Sequence, residues 1–370
     1  MERCDVLVVG GGPAGSTLAR RLGRTGFDVM VLDKETFPRD KVCAGWITPE
    51  VIETVGLEPE AYASERVFQP IRTFRAGLID GPLVETEYEA AASYGIRRCE
   101  FDHYLLERSG ARLAQGELLK GLERDGDEWV VNDRIRTPLV VGAGGHFCPV
   151  ARHLGARPGR DEPTVTAKEI EYRLEGPDRD HCPVAPGVPE LYFCPDLKGY
   201  GWIVRKGDYL NIGLGRENSP KLAHHLDGFI DSLAEAGRLP PGGIPQRFHG
   251  HAYRVYGADP RRRVADGVLL IGDAAGLAYP QSGEGIRPAV ESAVLATRAI
   301  EEARGDYRAA NLQGYLTDLH RRFGNERPTG TNPGPLRTFV GNRLLRNGWF
   351  VRNFVVDRWF LHRSQPALIA

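Results

Sequence analysis

Several familiar signals are missing from this 370-residue sequence. No apolar run approaches the about 20 residues that a membrane-spanning helix requires. The six cysteines, Cys4, Cys43, Cys99, Cys148, Cys182 and Cys194, are scattered with no CxxC pair, which argues against a zinc ribbon or an iron–sulfur cluster, and no metal site is expected. Excess charge of one sign is absent too. Lys and Arg number 48 against 49 Asp and Glu, a net charge of -1, so nothing global calls for nucleic acid. No basic-then-apolar leader opens the chain, so a cytoplasmic setting with reduced cysteines is expected. There is no internal repeat. Hydrophobic residues at 41% and charged residues at 26% are ordinary for a soluble enzyme. What stands out is glycine, with 45 residues gathered largely at turns.

The first thirty residues read as a βαβ unit. A short buried strand over 5–9 runs into glycines, a helix over 13–24 follows with Ala14, Leu18, Ala19 and Leu22 on one face, and a second strand covers 27–32. A Pro- and Gly-rich loop spans 37–48. Weak alternation over 70–95 predicts strands, and 101–114 reads as a helix. Residues 118–123 and 128–131 form a predicted hairpin closed at Asp125-Gly126-Asp127, and 138–141 is another buried strand. From about 155 to 250 the pattern changes to alternating stretches, over 165–174, 191–193 and 209–214, with one amphipathic helix over 221–239. A buried strand over 268–271 and a strong helix over 287–304 follow, and the chain after about 310 is helical, basic and aromatic.

Gly10-Gly11-Gly12-Pro13-Ala14-Gly15 fits GxGxxG in the context its mechanism needs, after a strand and opening a helix. Gly10 permits the tight turn, Gly12 lets a pyrophosphate approach the backbone, and Gly15 lets helix and strand pack closely. The helix N-terminus then offers free N–H groups and a positive dipole end to phosphate. Asp33 closes the second strand, where a carboxylate accepts from ribose hydroxyls, and Lys34 follows it. This motif alone leaves FAD and NAD both open.

Three further segments decide between them. Arg98-Cys99-Glu100-Phe101-Asp102 resembles the RxxFD segment of the flavin monooxygenases and reductases related to para-hydroxybenzoate hydroxylase. Gly142-Ala143-Gly144-Gly145 resembles that family's GADG fingerprint, with Gly144 in place of the Asp, Cys148 near the Ser position and Arg152 keeping the basic residue. Gly272-Asp273-Ala274-Ala275-Gly276, with Pro280 and Gly283-Glu284-Gly285-Ile286, resembles its GDAA motif. The resemblance implies FAD as cofactor, with Asp273 accepting from the ribityl chain and the helix after Ile286 facing the flavin's N1 and O2 edge. The expected fold is mixed α/β: a Rossmann-like FAD-binding domain from 1–65, 96–155 and 250–310, an inserted antiparallel-sheet substrate domain from 66–95 and 156–249, and a helical C-terminal region over 311–370.

Two segments resemble the geranylgeranyl reductase branch of this family. Lys41-Val42-Cys43-Ala44-Gly45-Trp46 is similar to its CxGG-type loop, which implies that Cys43 and Ala44 approach the flavin. Tyr200-Gly201-Trp202-Ile203-Val204-Arg205-Lys206-Gly207, followed by Asn211-Ile212-Gly213-Leu214-Gly215, resembles its YxWxFP motif and NVGxG strand, with Val204 and Arg205 replacing Phe and Pro. At strand spacing Tyr200 and Trp202 share a face. They either wall an apolar tunnel or are core aromatics. Arg205 at such a tunnel implies an anionic group on the substrate. Cys43 is either a buried small apolar residue or a thiol acting in catalysis, lowered in pKa by Lys41 and Arg39. His146, His181, His249 and His251 are candidate proton donors with nothing in the sequence to select one. The tail over 336–363, with Phe339, Trp349, Phe350, Phe354, Trp359 and Phe360 among six arginines, suits either an anionic membrane surface or a cap on the pocket.

The expectation is an FAD-dependent oxidoreductase that reduces C=C bonds of a hydrophobic, isoprenoid-type substrate. Reduced flavin delivers the hydride, and an external donor such as NADPH or ferredoxin reduces it. The alternatives are a flavin monooxygenase, with a halogenase ranked low because the WxWxIP pattern is incomplete, and an electron-transfer flavoprotein feeding a quinone.

Overall fold

A computed structural model describes residues 1–157, 164–217, 221–245, 247–257, 261–324 and 334–368. The nucleotide-binding half is a six-stranded sheet in the order Val264–Ala265, Val268–Leu270, Leu139–Gly142, Val6–Val9, Val29–Asp33 and Arg112–Gln115. All neighbours pair in parallel except the first two. The inner strands are apolar at nearly every position because helices cover both faces of a parallel sheet, so alternation gives way to continuous burial. The helices Pro13–Arg24 and Ile286–Glu302 pack against each other and both begin at the carboxyl edge of this sheet. A four-stranded sheet, which includes the hairpin Leu122–Asp125 and Glu128–Val131, stands beside it.

The helix expected over 101–114 is instead Arg98–Glu107, and Arg112–Gln115 is the edge strand of the parallel sheet. Gly110, at φ +70°, turns the chain out of helical geometry between the two.

The second large sheet has seven strands in the order His249–Tyr253, Val165–Arg173, Tyr209–Glu217, Gly199–Lys206, Glu190–Phe193, Thr73–Leu78 and Leu83–Glu87. Its pairings are antiparallel apart from Glu190–Phe193 with Thr73–Leu78. Strand alternation sends Ile203, Leu210, Ile212 and Leu214 to one face, against the helix Leu222–Glu235 with its buried Leu226, Phe229 and Leu233. The other face takes Tyr200, Trp202 and Val204, and the C-terminal tail packs there. The tail comprises a helix Pro335–Leu344 and a wide π-helical segment Val351–Phe360. Val351, Val355, Val356 and Phe360 are buried against Trp46, Phe74 and Phe193, and the Tyr88 hydroxyl donates to Asp357 at 2.8 Å. A small sheet of Trp46–Ile47, Ser93–Ile96 and Phe68–Ile71 joins the two halves.

Candidate active site

A cavity of about 740 Å³ runs from the glycine turn at residues 10–15 to the seven-stranded sheet. At its phosphate end Gly10 sits at φ +118°, and a Cβ there would lie 2.5 Å from the Ala143 carbonyl carbon. A Cβ on Gly15 would lie 1.9 Å from the Gly10 carbonyl oxygen. Gly12 is different, because its Cβ position meets only Arg39, at 3.5 Å, and so leaves room for a ligand against the backbone. No side chain caps the helix that begins at Pro13. The Asp33 carboxylate is fixed by the N–H groups of Gly11 at 2.7 Å and Glu35 at 2.9 Å. Asp33, Pro13 and Ala14 line the cavity, as does Lys34, whose side chain is largely exposed beside Glu35.

The expected flavin residues divide into two groups. Ala143, Gly144, Arg98, Asp273, Gly283, Gly285 and Ile286 line the cavity together with Cys43 and Ala44. Gly15, Gly142 and Gly272 do not; they allow close packing behind it. A Cβ on Gly142 would meet Leu270 at 2.6 Å, and one on Gly272 would meet Ala14 at 3.1 Å. Pro280 lines a smaller adjoining cavity instead. The helix Ile286–Glu302 starts without a side-chain cap at Gly285, so its amides face the cavity free to hold an anionic ring edge.

Polar clusters hold the middle of the cavity. Arg98 grips Asp102 in a bidentate pair at 2.8 and 2.7 Å, and Arg39 reaches the same carboxylate at 3.2 Å. Lys41 lies 2.8 Å from Nε2 of His251, which in turn faces Asp273 at 4.0 Å. Burial would raise the Asp273 carboxyl, but the contacts from His251 and Lys41 reverse this and hold it below the ordinary range. Burial lowers Lys41 to about 8 and also pushes His251 down. Of the four histidines considered, His251 and His146 reach the cavity, whereas His181 and His249 are exposed.

The expectation of a low-pKa thiolate at Cys43 is overturned. Lys41 is turned to His251, and Arg39 to Asp102 and the Phe37 ring. Burial pushes the Cys43 thiol up, with Arg98 the main opposing charge. The loop that carries Cys43 is held by side chains of the seven-stranded sheet. Asn211 donates to the Cys43 carbonyl at 3.1 Å and accepts from Trp202 Nε1 at 2.7 Å. Lys206, completely buried, donates to the Ala44 and Ile96 carbonyls at 3.1 and 2.9 Å and pairs with Glu171. Burial raises Glu169, beside Asn211, to about 7.

Tyr200 and Trp202 both line the cavity, and the Tyr200 hydroxyl donates to the Ser282 carbonyl. Arg205 does not reach it. Its strand position places it on the opposite face from Tyr200 and Trp202, where its Nε donates to the Gly207 carbonyl at 3.1 Å. The charged residue on the site's face is Lys206. Asp273, Lys41 and Lys206 each fell within a motif segment and His251 among the candidate histidines, but nothing in the sequence joined Lys41, His251 and Asp273 into one cluster, and parity along the Tyr200 strand was the one clue that Lys206 faces the site. Phe360 of the tail also lines the cavity.

A dinucleotide cradle at the carboxyl edge of a parallel sheet, continuing into a ring-sized pocket under a second helix N-terminus, defines an FAD-dependent oxidoreductase. The comparisons agree. The family model for the FAD binding domain matches residues 3–212. The chain is 29% identical over 312 residues to digeranylgeranylglycerophospholipid reductase of Methanocaldococcus jannaschii, covering 81% of this chain and 77% of the relative. It is 30% identical over 351 residues to digeranylgeranylglycerophospholipid reductase 1 of Methanopyrus kandleri, 86% of each chain. It is 30% identical over 336 residues to menaquinone reductase of Mycobacterium tuberculosis, 81% and 77% of the two chains. Among solved structures, a geranylgeranyl bacteriochlorophyll reductase-like protein of Thermoplasma acidophilum superposes with a TM-score of 0.73 at 21% identity, covering 100% of this chain and 94% of its own. The flavin-dependent brominase Bmp2 shares the fold at a TM-score of 0.70 and 19% identity, covering 97% and 92%. The chain therefore belongs to the FAD binding domain family and, within it, to the geranylgeranyl reductase-like branch.

Proposed function

We propose that the protein reduces C=C bonds in the polyprenyl chain of a lipid or quinone. One observation carries this reading. A second, mainly apolar cavity of about 240 Å³ adjoins the cofactor cavity and shares Tyr200, Trp202, Tyr253 and Gly283 with it. Its far wall is Phe193, Leu197, Leu345, Phe350 and Trp359. A hydrocarbon chain seated there would reach the ring end of the cradle between two aromatic walls. The relatives named above are reductases of a digeranylgeranyl lipid and of menaquinone, and both of those substrates carry unsaturated polyprenyl chains.

Bound and reduced flavin supplies the hydride. The protein supplies position, charge and dryness. The free amides at Gly285 and Ile286 stabilise negative charge at the ring edge, Asp33 and the Pro13 helix hold the ribose and phosphates, and the tail residues Phe360 and Trp359 keep water from the hydrocarbon. Reducing equivalents come from an external donor.

The tail also presents an apolar row outward. Leu336 is 76% exposed, Phe339 67% and Trp349 67%, among Arg337, Arg343, Arg346, Arg352 and Arg358. No helix among the described residues is long and apolar enough to cross a membrane. This row suits resting on an anionic bilayer, from which a prenyl chain would enter the second cavity past Leu345 and Phe350 of the same tail.

The decisive test is anaerobic. The FAD-loaded protein is reduced with dithionite and mixed with a geranylgeranyl lipid. Return of the oxidised flavin band with a more saturated lipid supports the reading. Reoxidation by oxygen alone, with peroxide or hydroxylated lipid, overturns it.

A further inference from the structure

Glu284 stands between Gly283 and Gly285 at the start of the helix Ile286–Glu302. The residue lines the cofactor cavity, as do Trp46, Tyr200 and Phe360, while its side chain is only 10% exposed and both carboxyl oxygens are buried. Neither of its carboxyl oxygens has a well-formed hydrogen bond among the described residues. Facing it at 3.8 Å is Nε2 of His362, which is likewise unpartnered and 8% exposed. His362 comes from the tail, is held at φ +47°, and stacks on the Tyr279 ring at 3.7 Å between centroids. A non-glycine residue in the left-handed region is strained, and tertiary packing holds it there.

The charged groups around Glu284 are committed elsewhere. On its own helix, Arg287 donates to Glu291 at 2.9 Å and to the Gln365 carbonyl at 2.5 Å, and lies 3.5 Å from Glu50 of the helix Pro49–Val55. On the helix Gln313–Phe323, Arg322 donates to Glu291 at 2.9 Å. Two arginines are thus shared among two other carboxylates and the tail carbonyls. Ionised Glu284 would be a buried anion beside Glu291 and Glu50, reached only by the Arg287 backbone N–H at the start of its own helix and by no side-chain hydrogen bond. Burial pushes its carboxyl up to about 8, against the pull of Arg287. Burial, with Arg287 and Arg322, pushes His362 down to about 3, so the imidazole beside it is neutral. Three other cavity groups are engaged: the Tyr200 hydroxyl by Ser282, His251 by Lys41 and Asp273, and the Cys43 thiol by Arg98. The Tyr253 hydroxyl, beside Gly283, is held in its protonated form by burial and is a far weaker acid than a carboxyl.

We propose that Glu284 is the proton donor of the reduction. This rests on the alkene-reductase reading above. The π bond of the substrate opens. One carbon takes the hydride of reduced flavin, which loses two electrons, and the other takes the carboxyl proton of Glu284, so that two C–H bonds form and a carboxylate remains. Solvent returns its proton before the next turnover. A neutral acid whose proton no side chain holds is the form this step needs.

Two readouts test it. Infrared spectra of the FAD-loaded protein, before any substrate is added, should show a protonated carboxyl C=O band at pH 7 that E284Q lacks. In anaerobic single turnover with geranylgeranyl lipid, E284Q should reoxidise at least about 100-fold more slowly, while its FAD content and its reduction by dithionite match wild type. E284D, if E284Q fails to hold FAD, should keep the infrared band and a part of the rate. Absence of the band, or an E284Q rate within about threefold of an active wild type, overturns the donor role and leaves the reductase reading standing. A wild type that does not saturate the lipid overturns that reading and the donor role with it.

Discussion

Replacing Lys206 by methionine tests how the site is held in place. Methionine keeps most of the apolar stem, which packs closely on Gly95, and removes the ammonium group. Lost with it are the donor to the Ala44 and Ile96 carbonyls and the buried cation beside Glu171. Burial favours the neutral form of Glu171, yet Lys206 and Arg97 together hold its pKa below the ordinary carboxylate value. Breaking a buried pair from one side costs about 3–5 kcal/mol. Arg97, 3.1 Å from Glu171, remains and trims that figure. The two carbonyls left without a donor add about 1 kcal/mol or more each. The sum, about 4–5 kcal/mol, is a large part of the about 5–15 kcal/mol by which domains are stable. Urea unfolding at fixed FAD concentration should show it as a midpoint lowered by about 1 M or more. E171Q combined with K206M should recover about 1–2 kcal/mol, because no uncompensated anion is then buried. A K206M loss below about 1 kcal/mol, or a double variant weaker than the sum of the singles, would refute the reasoning that this pair anchors the Cys43 loop.

Three further outcomes are expected. G10A should purify without flavin, read from the ratio of flavin to protein absorbance, because its Cβ would sit 2.5 Å from Ala143 backbone atoms at φ +118°; a yellow G10A protein would contradict the cradle. Glu284 has a folded pKa of about 8 against an ordinary 4.5, so its share of stability is complete below pH 4.5 and is lost as pH rises through 8. At about 1.36 kcal/mol per pH unit that share amounts to roughly 5 kcal/mol, and thermal melts of E284Q should be correspondingly flatter than wild type from pH 5 to 9. Glu169, raised to about 7, acts in the same direction and remains in the variant. Exchanging Phe339 and Trp349 for serine should abolish sedimentation with anionic vesicles and leave FAD content unchanged, since both side chains are exposed; unaltered binding would place the contact elsewhere.

The phosphate end of the site was legible because its chemistry is local. A turn that needs φ beyond +100° at Gly10, an open backbone at Gly12 and a carboxylate at the end of the next strand are all encoded within residues 10–33, where neighbours in sequence are neighbours in space. The pairing of Tyr200 with Trp202 was equally local, a consequence of strand period. The same rule, applied one position further, separates Arg205 from the site and brings Lys206 to it. Cys43 was found by motif, but its thiol chemistry was misjudged from sequence neighbours. Lys41 bonds a histidine 210 residues away, and Cys43 answers to Arg98.

What the sequence by itself determined was therefore the cofactor class, the parallel sheet that presents it and the aromatic face above it, each written in short-range turn geometry and hydrophobic period. Only the tertiary structure decided which charges meet: Lys206 with Glu171, Lys41 with His251 and Asp273, and Glu284 with a histidine brought back by the tail. Those pairings depend on strand register and on where a distant segment docks. A buried group's protonation is set by the neighbours so assembled, not by the residues beside it in the chain.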